Sequence, residues 1–188
     1  MTKMRKVHAA LLGAATGLSI TFSAEAQPGN ASLQSMPAGF RQEFLGQFNG
    51  SMSKFIALAE AMPAEKYAWS PGTGVMPVAK VYAHVAHYNF RYPSQNMSVA
   101  LPATVKLDTL EAVAAKAQVL ALLRQSGDFV RTAVNQMPDA QLAGQTRLYG
   151  RDVQRWAVLF QLLAHMNEHL GQSIAYARMN GVVPPWSS

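Results

Sequence analysis

The stretch that decides the fold is residues 152–185, which read DVQRWAVLFQLLAHMNEHLGQSIAYARMNGVVPP. Within it, side chains recur at alternating steps of four and three residues, which is the spacing of one face of an α-helix. Asn180-Gly181 supplies a C-terminal cap and Pro184-Pro185 prevents continuation, so we predict one long helix from about Asp152 to Asn180. The residues on this face are Val158, Leu162, His165, His169, Gln172 and Tyr176.

Three more apolar-periodic segments precede this helix, separated by stretches that contain Pro and Gly. We predict helices over about 38–62, 77–97 and 108–137, with a disturbance at Pro93 in the second. No stretch shows the two-residue alternation that is typical of a half-buried strand. Four long helices around one apolar interior predict an all-α four-helix bundle, formed as one domain by residues 37–188.

The first predicted helix carries a face of Phe residues but also contains Gly46 and Gly50. Each glycine weakens a helix by roughly 1 kcal/mol relative to Ala, so we expect close packing against a neighbouring helix at these positions. Exposed aromatic side chains on this helix would let a second copy of the chain bind, so a homodimer is a candidate assembly. In the loop that follows, Tyr67 and Trp69 are placed to cap one end of the bundle.

Residues 1–26 have the pattern of a secretory signal peptide. Residues 3–6 are Lys-Met-Arg-Lys, the stretch 7–24 is uncharged apart from His8, and Ala24-Glu25-Ala26 offers small residues at both positions that an exporting peptidase reads. The apolar part is too short and too rich in Gly, Ser and Thr for a membrane span, which needs about 20 apolar residues. We expect cleavage after Ala26, a flexible lead-in over 27–36, and a mature protein in the bacterial periplasm or outside the cell, not in a membrane.

Composition excludes several classes of protein and site. The 188 residues are 49% hydrophobic and 14% charged, which is too apolar for a disordered chain, and there is no cysteine. A thiol nucleophile, an iron–sulfur cluster and a zinc ribbon are therefore excluded. The net charge is +6 for the full chain and +4 once residues 1–26 are removed, and the arginines are dispersed along the sequence. We therefore expect no binding to nucleic acid.

Four histidines remain after removal of the signal peptide, and they fall in two pairs on two predicted helices. His165 and His169 are one helical turn apart, so their imidazoles project side by side on the inward face. On the second helix, His84 lies on the apolar stripe, whereas His87 lies about 60° away. If the two helices are neighbours, His84, His165 and His169 form a three-nitrogen site with an open position, which is typical of a catalytic zinc or nickel ion.

We expect that His87 does not bind the metal. It is more readily explained as a partly exposed residue, or as one that contacts a metal-binding side chain. The segment His165-Met166-Asn167-Glu168-His169 also matches the inverted zinc-protease pattern, with Glu168 as general base. Those enzymes take a further carboxylate ligand from downstream, and Glu168 is the last acidic residue of this chain. We therefore do not expect a peptidase. Glu168 either flanks the metal site or is a solvated residue.

Residues 163–185 resemble the closing helix of the DinB/YfiT-like family, with its His-x-x-x-His-x-Gly-Gln signature and trailing Gly and Pro-Pro. Residues 62–71 and 78–86 resemble the loop and second helix of the same family. The resemblance implies a bundle with up-down-down-up connectivity and a divalent metal held by His84, His165 and His169. Better understood members are cytosolic and use low-molecular-weight thiols, so the export signal is a departure.

Two functional hypotheses follow from the sequence. The first is a metal-dependent enzyme, either a thiol transferase or a hydrolase, that acts on a small molecule. Its three histidines hold zinc or nickel, and Glu168 or Tyr88 assists proton transfer. The second is a non-catalytic bundle whose metal is structural or stored. The second is motivated by the scarcity of acid–base residues near the histidines.

Overall fold

The computed structural model describes residues 36–187. The expected signal peptide lies outside the described residues, as does the expected lead-in except for Met36, which packs against the core. The long helices are α1 (Phe40–Ala61), α2 (Val78–Met97), α3 (Lys116–Gln136) and α5 (Arg155–Met179), and a short helix α4 spans Asp139–Leu142. Two strands, β1 (Gln145–Leu148) and β2 (Arg151–Gln154), precede α5.

Contacts between helix ends fix the directions of the four long helices. The starts of α1 and α5 are adjacent, the start of α3 meets the end of α1, and the segment before α2 meets the end of α5. The order is therefore up for α1, down for α2 and α3, and up for α5, as the family resemblance implied. The contacts are Phe40 with Trp156 (ring centroids 5.6 Å apart), Lys116 Nζ with Met62 O (2.7 Å) and Tyr176 OH with Met76 O (3.2 Å).

The core is built from one apolar face of each long helix. From α1 it takes Phe44, Phe48, Met52 and Phe55, which recur at four- and three-residue steps and are all at most 3% exposed. Burying a side chain of this size contributes about 1.5–3 kcal/mol. These aromatic rings therefore stabilise the monomer and do not form the exposed surface through which we expected a second copy to bind. Whether the protein dimerises stays a prediction.

The expectation of close packing at the α1 glycines is wrong. A Cβ added at Gly46 or Gly50 would meet no atom within 4 Å. Close approach occurs instead at Gly127 of α3, where an added Cβ would lie 3.1 Å from Met52 Cε. A small residue is therefore needed at Gly127, where α3 packs against α1.

Two predicted helix starts are also wrong. The third helix begins at Lys116 instead of near Asp108, because residues 110–112 form a separate 3₁₀ turn that packs on α2 and the chain is then extended at Val113. Tertiary contact here overrides the helical propensity of an Ala-rich segment. The last helix begins at Arg155 instead of near Asp152, because Asp152 lies in β2.

The strands β1 and β2 form an antiparallel hairpin that the sequence did not predict. Each strand has only four residues, two of them exposed, so there is no alternation long enough to detect. The two-residue turn consists of Tyr149 and Gly150, with φ of 50° and 79°. Positive φ at both positions is typical of the type I′ turn that suits the twist of a hairpin. Along residues 36–187, none of the helices has the length and apolarity to cross a membrane.

Candidate metal centre

The antiparallel packing of α2 and α5 brings three histidines together. His84 lies in the second turn of α2, and His165 and His169 lie one turn apart in the middle of α5. Their ring centroids are 4.7–5.1 Å apart, and one nitrogen from each ring lies within 4.8 Å of the others. All three side chains are partly buried. The three nitrogens thus converge on one point at the surface between the two helices.

The spacing of His84 and His165 fits two ligands of one metal ion. Their Nε2 atoms are 3.2 Å apart. Two nitrogens bound to one zinc ion at tetrahedral angles, with Zn–N distances of about 2.0–2.1 Å, would be about 3.3 Å apart. The rings already have that separation, so little movement of either side chain is needed for both to bind an ion.

A carboxylate orients His84 from the side opposite His165. Nδ1 of His84 lies 2.7 Å from Oε1 of Glu111, which belongs to the 3₁₀ turn before α3. In the neutral ring, Nδ1–H donates to this carboxylate and Nε2 keeps its lone pair for a metal. Lys80 Nζ lies 4.0 Å from the other oxygen of Glu111. This arrangement of carboxylate, histidine and ligand direction is typical of metal sites.

A chain of hydrogen bonds orients His169 in the same way. The hydroxyl of Tyr176 donates to Met76 O at 3.2 Å and accepts from Nε2 of Gln172 at 2.9 Å. The amide of Gln172 is thereby turned so that its oxygen lies 2.8 Å from Nδ1 of His169. Only Nδ1–H can donate to that oxygen, so Nε2 of His169 carries the lone pair.

His165 is flanked by aromatic rings. The ring of Tyr88 is 4.3 Å from that of His165, and the ring of Tyr92 is 6.2 Å away, measured between centroids. Burial, with a smaller contribution from the neighbouring histidines, lowers the pKa of His165 to about 3. The imidazole is therefore neutral at physiological pH, which is the form that binds a metal.

His87 is not part of the convergent group. Its Nδ1 lies 3.8 Å from Oε1 of Glu111 and has no hydrogen-bond partner among the described residues. Burial lowers the pKa of His87, an effect that the charge of Glu111 opposes. The side chain lies beside the carboxylate that orients His84 and is partly buried, outside the group of three converging histidines.

The two residues expected to assist proton transfer differ in position. Tyr88 packs against His84 and His165 with tilted rings, whose centroids are 4.8 and 4.3 Å away. Its hydroxyl accepts from Nη1 of Arg91 at 3.4 Å. Glu168 is exposed on α5 and forms no ion pair or hydrogen bond with any residue from 36 to 187. Neither role is tested by this geometry.

Sequence reasoning did not assign Glu111 to the site. We expected it at the start of the third helix, and no local spacing connects it with His84, which lies 27 residues earlier. Gln172 was placed on the histidine face of the last helix without a role. Its position three residues after His169 is the signal that could have suggested one.

Chemically, the arrangement offers three imidazole nitrogens from two long helices, with the rings of His84 and His169 oriented by Glu111 and Gln172. Three nitrogen ligands leave at least one coordination position of a divalent ion open to water or substrate. The ligand set uses a histidine from α2, His84, where the inverted zinc-protease pattern would need a downstream carboxylate. The residues therefore fit a divalent metal, and the set is compatible with metal binding.

Comparison with known proteins agrees with this description. A sequence model of the DinB superfamily matches residues 47–176. The fold is similar to that of a DinB-like protein from Bacillus cereus, with a TM-score of 0.65 and 17% identity over 78% of this chain and 94% of that one.

A DinB-like protein from Bacillus subtilis, YjoA, has a TM-score of 0.50 and 18% identity over 74% of this chain and 92% of that one. Comparison with curated protein sequences gives no significant match. The family match spans α2 and α3 in full and most of α1 and α5, and includes all three converging histidines. The chain belongs to the DinB superfamily.

Proposed function

We propose that the protein binds one divalent metal ion, zinc or nickel, through His84, His165 and His169, and that it is a metal-dependent enzyme. The observation that carries the proposal is the pair of Nε2 atoms of His84 and His165, 3.2 Å apart and facing each other. Glu111 accepts from Nδ1–H of His84, so the Nε2 lone pair of His84 can receive either Nε2–H of His165 or a cation. When His165 carries its hydrogen on Nδ1, the Nε2 lone pairs of both rings can bind one ion.

The chain's own residues prepare this site in three ways. Glu111 and Gln172 fix the tautomers of His84 and His169, so that both present Nε2. Burial keeps His165 uncharged, so that protons do not compete for its lone pair near neutral pH. The ring of Tyr88 packs against His84 and His165 and restricts the movement of both imidazoles.

A bound divalent ion would supply Lewis acidity, lowering the pKa of a water or thiol at the open position or polarising a carbonyl. The reaction class proposed is therefore thiol transfer or hydrolysis on a small molecule. Tyr88 is the residue best placed to exchange a proton with that molecule, since its ring contacts two of the three ligands. Glu168 is a weaker candidate because it is exposed and unconnected to the histidines.

The experiment is a metal titration of the purified metal-free protein, with a chromophoric chelator as competitor. We expect about one zinc ion per chain for the wild type and for His87→Ala, which removes the one described histidine outside the group. His84→Ala, His165→Ala and His169→Ala should each weaken binding at least 100-fold, with circular dichroism showing the helices intact. A wild type that takes up no metal, or a His84→Ala variant that binds as tightly as wild type, would overturn the proposal.

The alternative function is a bundle in which the metal is structural. It predicts loss of the fold when the metal is removed. The apolar core around Phe48, Phe55 and Leu162 is continuous and does not include the histidines, which favours a stable metal-free bundle. Thermal unfolding with and without a chelator separates the two functions, since a catalytic site predicts only a modest shift of Tm.

We also propose that the protein is exported, on the basis of the signal-like pattern of residues 1–26. Intact-mass measurement of the protein recovered from a bacterial periplasmic fraction tests this. The expected mass is that of residues 27–188. Full-length protein confined to the cytoplasm would contradict it.

A further inference from the structure

A cavity of about 100 Å³ lies beside the histidines, between α2 and the β-hairpin. Tyr88, Arg91 and Tyr92 line it from α2, and Leu148 and Tyr149 line it from the hairpin. The rings of Tyr88 and Tyr92 also contact His165, so they lie between the cavity and the metal centre. The cavity is therefore one layer of aromatic rings away from the point where the three histidine nitrogens converge.

Among the residues that the structure describes, Arg91 is the only charged side chain that lines this cavity. Its Nε donates to Gln95 Oε1 at 2.9 Å and its Nη1 to the hydroxyl of Tyr88 at 3.4 Å, while the guanidinium lies 5.3 Å from the centre of the Tyr88 ring. Among residues 36–187, no carboxylate lies within 4.0 Å of Arg91, and Nη2 has no hydrogen-bond partner. The permanently charged guanidinium is thus oriented by two neutral partners, Gln95 and Tyr88.

Tyr149 adds a second donor at an unusual backbone position. It has a φ of 50°, which is rare for a bulky residue, and its side chain is 63% exposed although it is aromatic. Its hydroxyl is hydrogen-bonded to that of Tyr92. One of these two hydroxyls donates to the other, so the remaining hydrogen is available to an acceptor in the cavity.

We propose that this cavity binds a carboxylate group of the substrate, with Arg91 as the anion-binding residue and the Tyr92–Tyr149 hydroxyl pair as a further donor. Guanidinium forks match carboxylates in charge and geometry. The volume equals that of about three water molecules at roughly 30 Å³ each, which suits a carboxylate and the carbon that bears it. The inference rests on the proposed function in one respect: the substrate is an acid long enough to pass the rings of Tyr88 and Tyr92 and to place its reactive end at the histidines.

The first test needs no metal. Metal-free, ¹⁵N-labelled protein is titrated with propionate, propionamide or inorganic phosphate, and the Nε–H signal of Arg91 is followed by NMR. We expect a saturable shift with propionate and none with propionamide. A larger and tighter response to phosphate would overturn the carboxylate assignment, and no saturable response to either anion would overturn the site.

The second test links the cavity to the metal centre. Cobalt-loaded protein is titrated with 6-mercaptohexanoate, which is long enough to pass the Tyr88 and Tyr92 rings, and with 6-mercaptohexanol, which lacks the carboxylate, and binding is read from the visible spectrum. Arg91→Gln should reduce the preference for the acid about 10- to 100-fold, as expected for a lost hydrogen bond to a charged group, while cobalt affinity is unchanged. Arg91→Lys should restore part of the preference.

Arg178→Gln is the matched control, because it removes the same charge from an exposed position near the end of α5. The preference should be unaffected in this variant. An unchanged preference in Arg91→Gln would overturn the inference while leaving the metal site intact. Failure to take up cobalt would count against the proposed function alone, since the metal-free titration decides the anion site separately.

Discussion

Oε1 of Glu111 lies 2.7 Å from Nδ1 of His84, although the two residues are 27 positions apart and belong to different elements. The contact sets which nitrogen of His84 is available on the side of His165 and His169. A carboxylate in this position also raises the basicity of the opposite nitrogen. The ligand character of His84 therefore depends on a residue outside the two histidine-bearing helices.

Glu111→Gln should weaken zinc binding by about 10- to 100-fold, because the neutral amide no longer orients and polarises His84. Affinity is measured by chelator competition at neutral pH. Glu65→Gln is the control, since Glu65 is an exposed carboxylate on the loop after α1. Equal zinc affinity in Glu111→Gln and wild type would show that Glu111 does not act on the site.

Tyr176→Phe should weaken the chain of hydrogen bonds that orients His169 through Gln172. The substitution keeps the ring that packs against Trp69 at 5.4 Å but removes the hydroxyl that holds the amide of Gln172. We expect a loss of zinc affinity of up to about tenfold, smaller than for Glu111→Gln because the affected partner of His169 is uncharged. Gln172→Leu should cost at least as much. A Tyr176→Phe effect larger than that of Gln172→Leu would contradict the proposed order of the chain.

Two buried tyrosines provide a matched pair for stability. Tyr67 donates to Ala59 O at 2.7 Å, whereas the hydroxyl of Tyr82 has no partner among the described residues. Tyr67→Phe should lower the free energy of unfolding by about 1 kcal/mol, and Tyr82→Phe should leave it unchanged or raise it by a similar amount. Urea unfolding at pH 7 measures both. Equal losses in the two variants would mean that the Tyr82 hydroxyl has a partner, such as a buried water.

The same two residues predict how stability changes at alkaline pH. Burial raises the pKa of both Tyr67 and Tyr82 above the ordinary value of 10. Above pH 10 the unfolded chain therefore releases protons that the folded chain retains, so the free energy of unfolding falls as pH rises. Below pH 10 neither residue contributes to the pH dependence. Unfolding measured from pH 9 to 11 should show a smaller decline in Tyr82→Phe than in the wild type.

Replacing Gly50 or Gly127 with alanine should affect the free energy of unfolding differently. Gly50→Ala on α1 should raise the free energy of unfolding by about 0.5–1 kcal/mol, because the added methyl meets open space. Gly127→Ala should give no gain, because its methyl would lie 3.1 Å from Met52 Cε in the core. Chemical denaturation of the two variants checks the order. A gain at Gly127 as large as that at Gly50 would show that the end of the Met52 side chain can move aside without cost.

The fold was predictable because its main signal is periodic. Phe44, Phe48, Met52 and Phe55 are spaced as one helix face and are all buried. His165 and His169, four residues apart, necessarily share a side of one helix, and His84 could be matched to them from its apolar stripe. The spacing of residues three and four apart was thus sufficient to predict the helices and to suggest that the three histidines converge.

Features that depend on tertiary contact were not predictable. Glu111 acquires its role only because a 3₁₀ turn packs on α2, and Ala-rich composition in that region favours a continuous helix instead. The hairpin is held partly by Asn96 Nδ2, which donates to Arg147 O at 2.6 Å, from a helix 51 residues away. Neither relationship leaves a pattern in neighbouring positions of the sequence.

The parallel course of α2 and α3 has a consequence for how this scaffold can be altered. Two parallel neighbours cannot be joined by a short turn, so the chain must travel back along the bundle through residues 98–115 before α3 begins. Glu111 is carried by that return path. Insertions or substitutions there would change the orientation and basicity of His84, while the helices and the two imidazoles on α5 keep their positions. The reactivity of the site can therefore be altered without altering the fold.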